Sequence, residues 1–127
     1  MGTRSTTKII DEMGSVIVNM YRQFDGYFEG HGLELAEFLD GKEVINGIGG
    51  QSMDQAANGM GCLAAQMIAH FKTGIGGIYI ESPDVEEDFN YIVQIKDGKL
   101  VLEARGYDKL FSGTPREFRE LIGQEVE

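Results

Sequence analysis

Apolar and polar residues alternate over residues 15–24, placing Val16, Val18, Met20, Arg22 and Phe24 on one face of a strand. A Thr- and Ile-rich run at residues 3–10 precedes it. The turn Asp11-Glu12-Met13-Gly14 separates the two, and together they predict an antiparallel hairpin. Three more strands are expected, at residues 78–81, 89–96 and 99–107. The last two are joined by Asp97-Gly98, a dipeptide suited to a two-residue turn that needs positive φ at both positions.

Between these strands the period changes. Three glycines in Asp25-Gly26-Tyr27-Phe28-Glu29-Gly30-His31-Gly32 indicate a shaped loop rather than a strand. Leu33, Leu35, Ala36, Phe38 and Leu39 then follow at helical spacing, with Gly41 as the stop. A longer helix is expected from an N-cap at Ser52, with Gln55 completing a capping box, to about Phe71. It carries Met53, Ala57, Met60, Ala64, Met67, Ile68 and Phe71 on its apolar face, holds Gly59 and Gly61 inside, and stops at Gly74-Ile75-Gly76-Gly77. Thr114-Pro115-Arg116-Glu117 reads as cap, first helical residue and box partner of a final helix. The acidic tail after Gly123 is expected to fray. The order β-β-α-α-β-β-β-α predicts a single α+β domain over 1–127. It would have an antiparallel-rich sheet of about five strands, with two to three helices on one face.

Charge narrows the function. Against 21 acidic residues stand 11 basic ones, a net charge of -10, which disfavours binding to nucleic-acid phosphates. The single cysteine, Cys62, cannot form an intrachain disulfide and reads as a small buried hydrophobe. Met1 to Thr7 lacks the apolar stretch of a signal peptide, and no apolar run is long enough to span a bilayer. A cytosolic location is the expectation.

Two arginines stand out. Arg22 shares a face with apolar residues, so its guanidinium must meet either an internal carboxylate or a ligand anion. Arg105 lies late in its strand, where it can pair with Glu103 or another acid, or join Arg22 in clamping a diphosphate. Tyr21, Tyr27, Phe28, Tyr79, Phe89 and Tyr91 supply rings for core packing or for stacking on a base. The turn Gly47-Ile48-Gly49-Gly50 could admit an anion to a helix start, although it lacks the Lys-Ser/Thr of a phosphate loop. His31, with Asp25 and Glu29, fits no metal-ligand spacing but could form an acid–base group. His70 falls near a helix C-terminus, and Asp84, Glu86, Glu87 and Asp88 read as a solvated acidic loop. No metal or cofactor is expected.

The segments Met1-Gly2-Thr3-Arg4-Ser5-Thr6, Met20-Tyr21-Arg22-Gln23-Phe24-Asp25-Gly26-Tyr27 and Glu29-Gly30-His31-Gly32-Leu33-Glu34-Leu35-Ala36-Glu37-Phe38-Leu39 resemble a family of small phage and prophage proteins. The chain is further similar to the Thoeris anti-defence proteins of phages. These bind the cyclic ADP-ribose signal made by bacterial TIR enzymes and withhold it without cleavage. The resemblance implies a homodimer or higher oligomer, and a pocket for a cyclic nucleotide. It implies a ligand set drawn from Arg22, Arg105, Tyr79, Phe89, Asn90, Tyr91, Tyr27 and Gly26. Two other readings stay open: an acidic inhibitor of a host defence protein, and an enzyme that cleaves a nucleotide signal with His31 and Asp25 as acid and base.

Overall fold

A computed structural model describes residues 2–46 and 55–126 of the chain. Its centre is the strand β6 (Phe89–Lys96), in which Phe89, Tyr91 and Val93 point to one side and are buried. β7 (Lys99–Gly106) pairs with it antiparallel across Asp97-Gly98, where φ is 52° and 75°. The positive φ at both turn residues is what the Asp-Gly pair accommodates. On the other side of β6 lies β1 (Ser5–Ile10), which runs parallel to it, with Thr7 opposite Tyr91 and Ile9 opposite Val93.

β2 (Val16–Arg22) returns antiparallel along β1 as expected. The Asp11 carboxylate accepts the backbone N–H groups of Met13 and Ser15 at 2.9 Å each, closing the turn between them. β5 (Tyr79–Ile80) beside β2 and β8 (Lys109–Gly113) beside β7 complete the main sheet at its edges, so its order reads β5-β2-β1-β6-β7-β8. It therefore has six strands rather than about five, in an α+β arrangement.

Helices cover one face. A π-type turn (Phe28–Gly32) leads directly into α1 (Leu33–Leu39). α2 (Gly59–Phe71) and α3 (Pro115–Val126) complete the layer. Leu35 and Leu39 of α1, Met60, Leu63 and Met67 of α2, and Phe118 and Ile122 of α3 meet Ile9, Met20, Tyr91, Val93 and Leu102 in one core. The capping box at α3 forms as expected: Glu117 N–H donates to Thr114 Oγ1 at 3.1 Å, and Thr114 N–H donates to the Glu117 carboxylate at 2.8 Å.

The expected start of the long helix needs correction. Gln55 lies in a turn, and Ala56–Asn58 forms β4, paired parallel to β3 (Glu43–Ile45) in a separate two-stranded sheet. α2 begins only at Gly59, whose φ of +84° is left-handed and suits glycine rather than a helix interior. The Glu12 carboxylate, from the turn between β1 and β2, accepts the Met60 N–H at 2.7 Å and so caps α2 from a distant part of the chain. Ser52, Met53 and the Gly47–Gly50 turn fall outside the described residues.

The other face of the sheet carries a strap. Residues 81–88 connect the edge strand β5 (Tyr79–Ile80) to β6 by crossing behind β2 and β1. Asn19 Nδ2 donates to the Ser82 and Val85 carbonyls at 2.8 and 3.1 Å. Asn90 accepts the Glu87 N–H at 2.9 Å and donates to the Glu87 carbonyl at 2.8 Å. The acidic run is thus exposed but anchored at both ends. Among the described residues, no helix is long and apolar enough to cross a membrane.

Candidate functional site

A cleft of about 580 Å3 lies between the end of β2, α1 and the C-terminal end of α2 with its following loop. Its walls combine Arg22, Glu34, Glu37 and His70 with the rings of Phe24, Phe38 and Phe71 and the backbone of Gly76 and Gly77. A mixed cleft of this kind, with rings beside a few polar groups, suits a small molecule with a planar part and a charged part.

Arg22 and Glu34 line this cleft, and the enclosed His31 lies behind them. Arg22 points to the helix side of β2, because it lies opposite Ser5 in the ladder and two residues beyond Met20, whose side chain is in the core. Its Nη1 donates to Glu34 Oε1 at 2.5 Å, and its Nε donates to the Phe24 carbonyl at 2.8 Å. The sequence left open an internal carboxylate or a ligand anion; the chain itself provides the carboxylate.

His31 completes the group. Its Nδ1 lies 3.0 Å from Arg22 Nη1 and 3.1 Å from Glu34 Oε1. Glu34 follows His31 by one helical turn, so the i,i+3 spacing brings the carboxylate over the ring. Only 1% of the His31 side chain is exposed, against 23% for Arg22 and 48% for Glu34. Burial therefore holds the imidazole below its ordinary value; the Glu34 hydrogen bond opposes this and the Arg22 charge adds to it. Glu34 is held below the ordinary carboxylate range, first by the His31 hydrogen bond and further by Arg22, against a partial desolvation.

On the α2 side, the His70 ring lies 4.6 Å from Phe38, and Phe71 packs between Phe38 at 5.6 Å and His31 at 5.0 Å. His70 is exposed on the last turn of α2. The expected grouping of His31 with Asp25 and Glu29 does not form at the side chains. Asp25 meets His31 only through its carbonyl, which accepts the His31 N–H at 2.7 Å. Glu29 instead faces Lys109 at 3.9 Å. Among the described residues, no group of three or more His, Cys, Asp and Glu side chains could hold a metal ion. Cys62 is half-buried against the core.

The other residues proposed for a ligand lie elsewhere. Arg105 is opposite Asn90, which is itself beside Thr6, and this row is on the strap side of the sheet. Its Nη2 donates to Glu86 at 3.2 Å, where Lys8 also reaches at 3.4 Å. Within one chain Arg22 and Arg105 therefore face opposite sides of the sheet and cannot grip one diphosphate. The reason is the strand period: Arg22 falls in register with Ser5, and Arg105 in line with Thr6, one residue out of phase.

Asn90 Oδ1 accepts from Thr6 Oγ1 at 2.6 Å, so this side chain is occupied by the strap and its strand neighbour. Tyr91 is fully buried and its hydroxyl donates to the Gly26 carbonyl at 2.6 Å. Phe89 is buried against Phe28, with ring centroids 5.7 Å apart. Gly26 is a packing position, because an added Cβ would stand 2.6 Å from that of Ser5. Tyr79 is half-exposed on the edge strand, its ring 5.8 Å from Tyr21. Tyr27 lines a smaller depression of about 310 Å3 with Tyr107 and Lys109. Of the eight residues, the cleft contains Arg22 alone.

Glu34, Glu37, Phe38, Phe71, Thr73 and the glycines 76 and 77 were not singled out by the sequence. The His31/Glu34 spacing was a signal available in principle, since a residue three positions on is a neighbour on a helix. That Phe38 and His70 stack required knowing how α1 and α2 dock. Comparison with known protein families finds no family model that matches, and comparisons with curated proteins and with solved structures find no match either.

Proposed function

We propose that this protein is a phage- or prophage-encoded capture protein. It would hold a nucleotide signal of the cyclic ADP-ribose class in the cleft and withhold it from its receptor without cleaving it. One observation carries the reading: the part of the chain that resembles small phage and prophage proteins supplies one wall of the cleft. Arg22, Gln23, Phe24, Glu34, Glu37 and Phe38 all come from it and supply the wall on the β2 and α1 side.

The chemistry of the cleft is suited to such a ligand. Arg22 is its arginine and presents an N–H fork that matches a phosphate oxygen pair. Phe24 and His70 give ring faces for a base, a contact worth about 1–3 kcal/mol per stacked base in nucleic-acid-binding proteins, and Phe38 backs the His70 ring. Gly76 and Gly77 let a ligand approach the backbone closely. In this arrangement the ring contacts come from Phe24 and His70 instead of Tyr79, Phe89 and Tyr91, and Arg105 takes no part. The same reading carries assembly into a dimer or larger homo-oligomer in the bacterial cytosol, checked by light scattering of the purified protein.

The test is calorimetric titration with cyclic ADP-ribose isomers, linear ADP-ribose and cyclic di- and trinucleotides, followed by denaturation and chromatography of what is released. Tight binding with intact release supports capture. Release of a cleaved product makes the protein an enzyme. A second reading, binding to a host defence protein, is favoured by the net charge of -10 and by the exposed Leu110 of the edge strand β8 (Lys109–Gly113) with Tyr107 just before it. Absence of binding to every nucleotide, together with salt-sensitive capture of a bacterial protein, would replace the first reading with that one.

A further inference from the structure

We infer that Glu34 is a built-in counter-ion which the anionic group of a ligand replaces at Arg22, leaving the Glu34 carboxylate to His31. The inference rests on the cleft being the ligand site, and adds how an anion enters a cleft already holding two carboxylates, Glu34 and Glu37.

Arg22 Nη1, His31 Nδ1 and Glu34 Oε1 form a triangle with sides of 2.5, 3.0 and 3.1 Å. An arginine nitrogen only donates and an ionised carboxylate only accepts. A neutral imidazole has a proton on Nδ1 or a lone pair there, not both. With the lone pair, Nδ1 accepts from Arg22 but faces the carboxylate oxygen, acceptor against acceptor. With the proton, Nδ1 donates to Glu34 but faces the guanidinium, donor against donor. Either tautomer leaves one side of the triangle a like-with-like contact, which persists while Arg22 stays on Glu34.

An incoming phosphate removes the conflict. It takes the Arg22 N–H groups, and the Nδ1–H of His31 then donates to Glu34 without a competing donor. Glu34 is the member able to move, because its side chain is half-exposed and rooted one helical turn from His31, whereas His31 is enclosed. The groups facing His31 are Arg22 from β2, Glu34 from α1, the Phe71 ring from α2 and Tyr91 from β6, whose hydroxyl is committed to Gly26. Arg22 is thus the cation in direct contact with the imidazole. Neutralising it with a ligand anion while keeping the Glu34 contact favours the imidazolium, so binding takes up protons and strengthens as pH falls.

Glu34→Gln carries the test: the amide keeps an acceptor for His31 and removes the competing charge from a half-exposed position. Parent, Glu34→Gln and Arg22→Gln are titrated with inorganic pyrophosphate, by calorimetry in two buffers of different ionisation enthalpy and by NMR of the His31 ring. Expected are binding roughly fivefold tighter in Glu34→Gln, the size of a partly exposed ion pair, loss of binding in Arg22→Gln, and proton uptake that shrinks in Glu34→Gln. Equal or weaker binding by Glu34→Gln, or no pyrophosphate binding by parent and Glu34→Gln, overturns the inference. A parallel titration with cyclic ADP-ribose separates the two proposals. If pyrophosphate exchanges against Glu34 and the cyclic nucleotide does not bind, the exchange stands and the capture function falls. If the cyclic nucleotide binds the parent and Glu34→Gln equally, the function stands and the exchange falls.

Discussion

Arg22 and Arg105 lie on opposite faces of one sheet, Arg22 over the helices beside Glu34 and Arg105 over the strap beside Glu86. Their side chains are therefore available to different surroundings, and substitutions at the two should separate. Arg105→Ala is expected to bind a cleft ligand as the parent does and to change stability by under about 1 kcal/mol, since both partners are half-exposed. Arg22→Ala is expected to lose binding by tenfold or more (roughly 1.4 kcal/mol). Equal losses in both variants, measured by titration, would place the ligand across chains instead of in the cleft.

Tyr91→Phe should destabilise the fold by about 1–3 kcal/mol, because it strands the Gly26 carbonyl without its 2.6 Å hydrogen bond from a buried hydroxyl. Denaturant unfolding with an unchanged slope and a lower midpoint would show this. A midpoint equal to the parent's would mean that water reaches the Gly26 carbonyl.

Glu12→Ala removes the acceptor for the Met60 N–H at the start of α2 and should lower stability by about 1 kcal/mol. Hydrogen exchange at Met60 is the direct measurement. Faster exchange confined to the first turn of α2 is the expected pattern, and unaltered exchange there would remove the cap from the account.

Thr114→Ala should have a comparable effect on α3, about 1 kcal/mol, through loss of the Oγ1 acceptor for Glu117 N–H. Thr114→Ser keeps that acceptor and should recover most of the parent stability in thermal unfolding.

Stability should fall as pH drops below about 6.5, the ordinary imidazole value. The sign follows from His31. Its folded-state value lies below the unfolded one, so the unfolded chain binds the extra proton first and gains on acidification. Glu34 extends the trend: its stabilisation is present above its unfolded value of 4.5 and is lost as pH falls further. Unfolding midpoints at pH 8, 7, 6 and 5 should decline in the parent and decline less in His31→Gln between pH 7 and 5. A parent midpoint that is flat from pH 8 to 5 would contradict a buried neutral His31.

Local chemistry made several parts of this fold legible. Asp97-Gly98 specified a hairpin because its two residues tolerate positive φ, and Thr114 with Glu117 specified a helix start through side chains three residues apart. β8 was not legible. The turn before it is Tyr107-Asp108, and the φ of 52° falls on Tyr107 itself, a residue type that does not favour that conformation. Instead its ring rests on Phe89 at 4.8 Å, next to Gly106, where an added Cβ would stand 2.1 Å from the Phe89 ring.

What the sequence determined on its own was therefore the short-range part: the first hairpin, the β6–β7 pair, α1, the cap of α3 and the α+β class. These depend on residues within a few positions of one another. Tertiary structure decided the rest. The start of α2 moved to Gly59 because 56–58 found a strand partner at 43–45 and Met60 found Glu12 across the fold. The cleft arose because α1 and α2 dock with Phe38 on His70 and Phe71, and because strand phase sends Arg22 toward the helices and Arg105 away from them. Which of several acids an arginine meets depends on distances between segments far apart in the chain, and neither period nor composition encodes those distances.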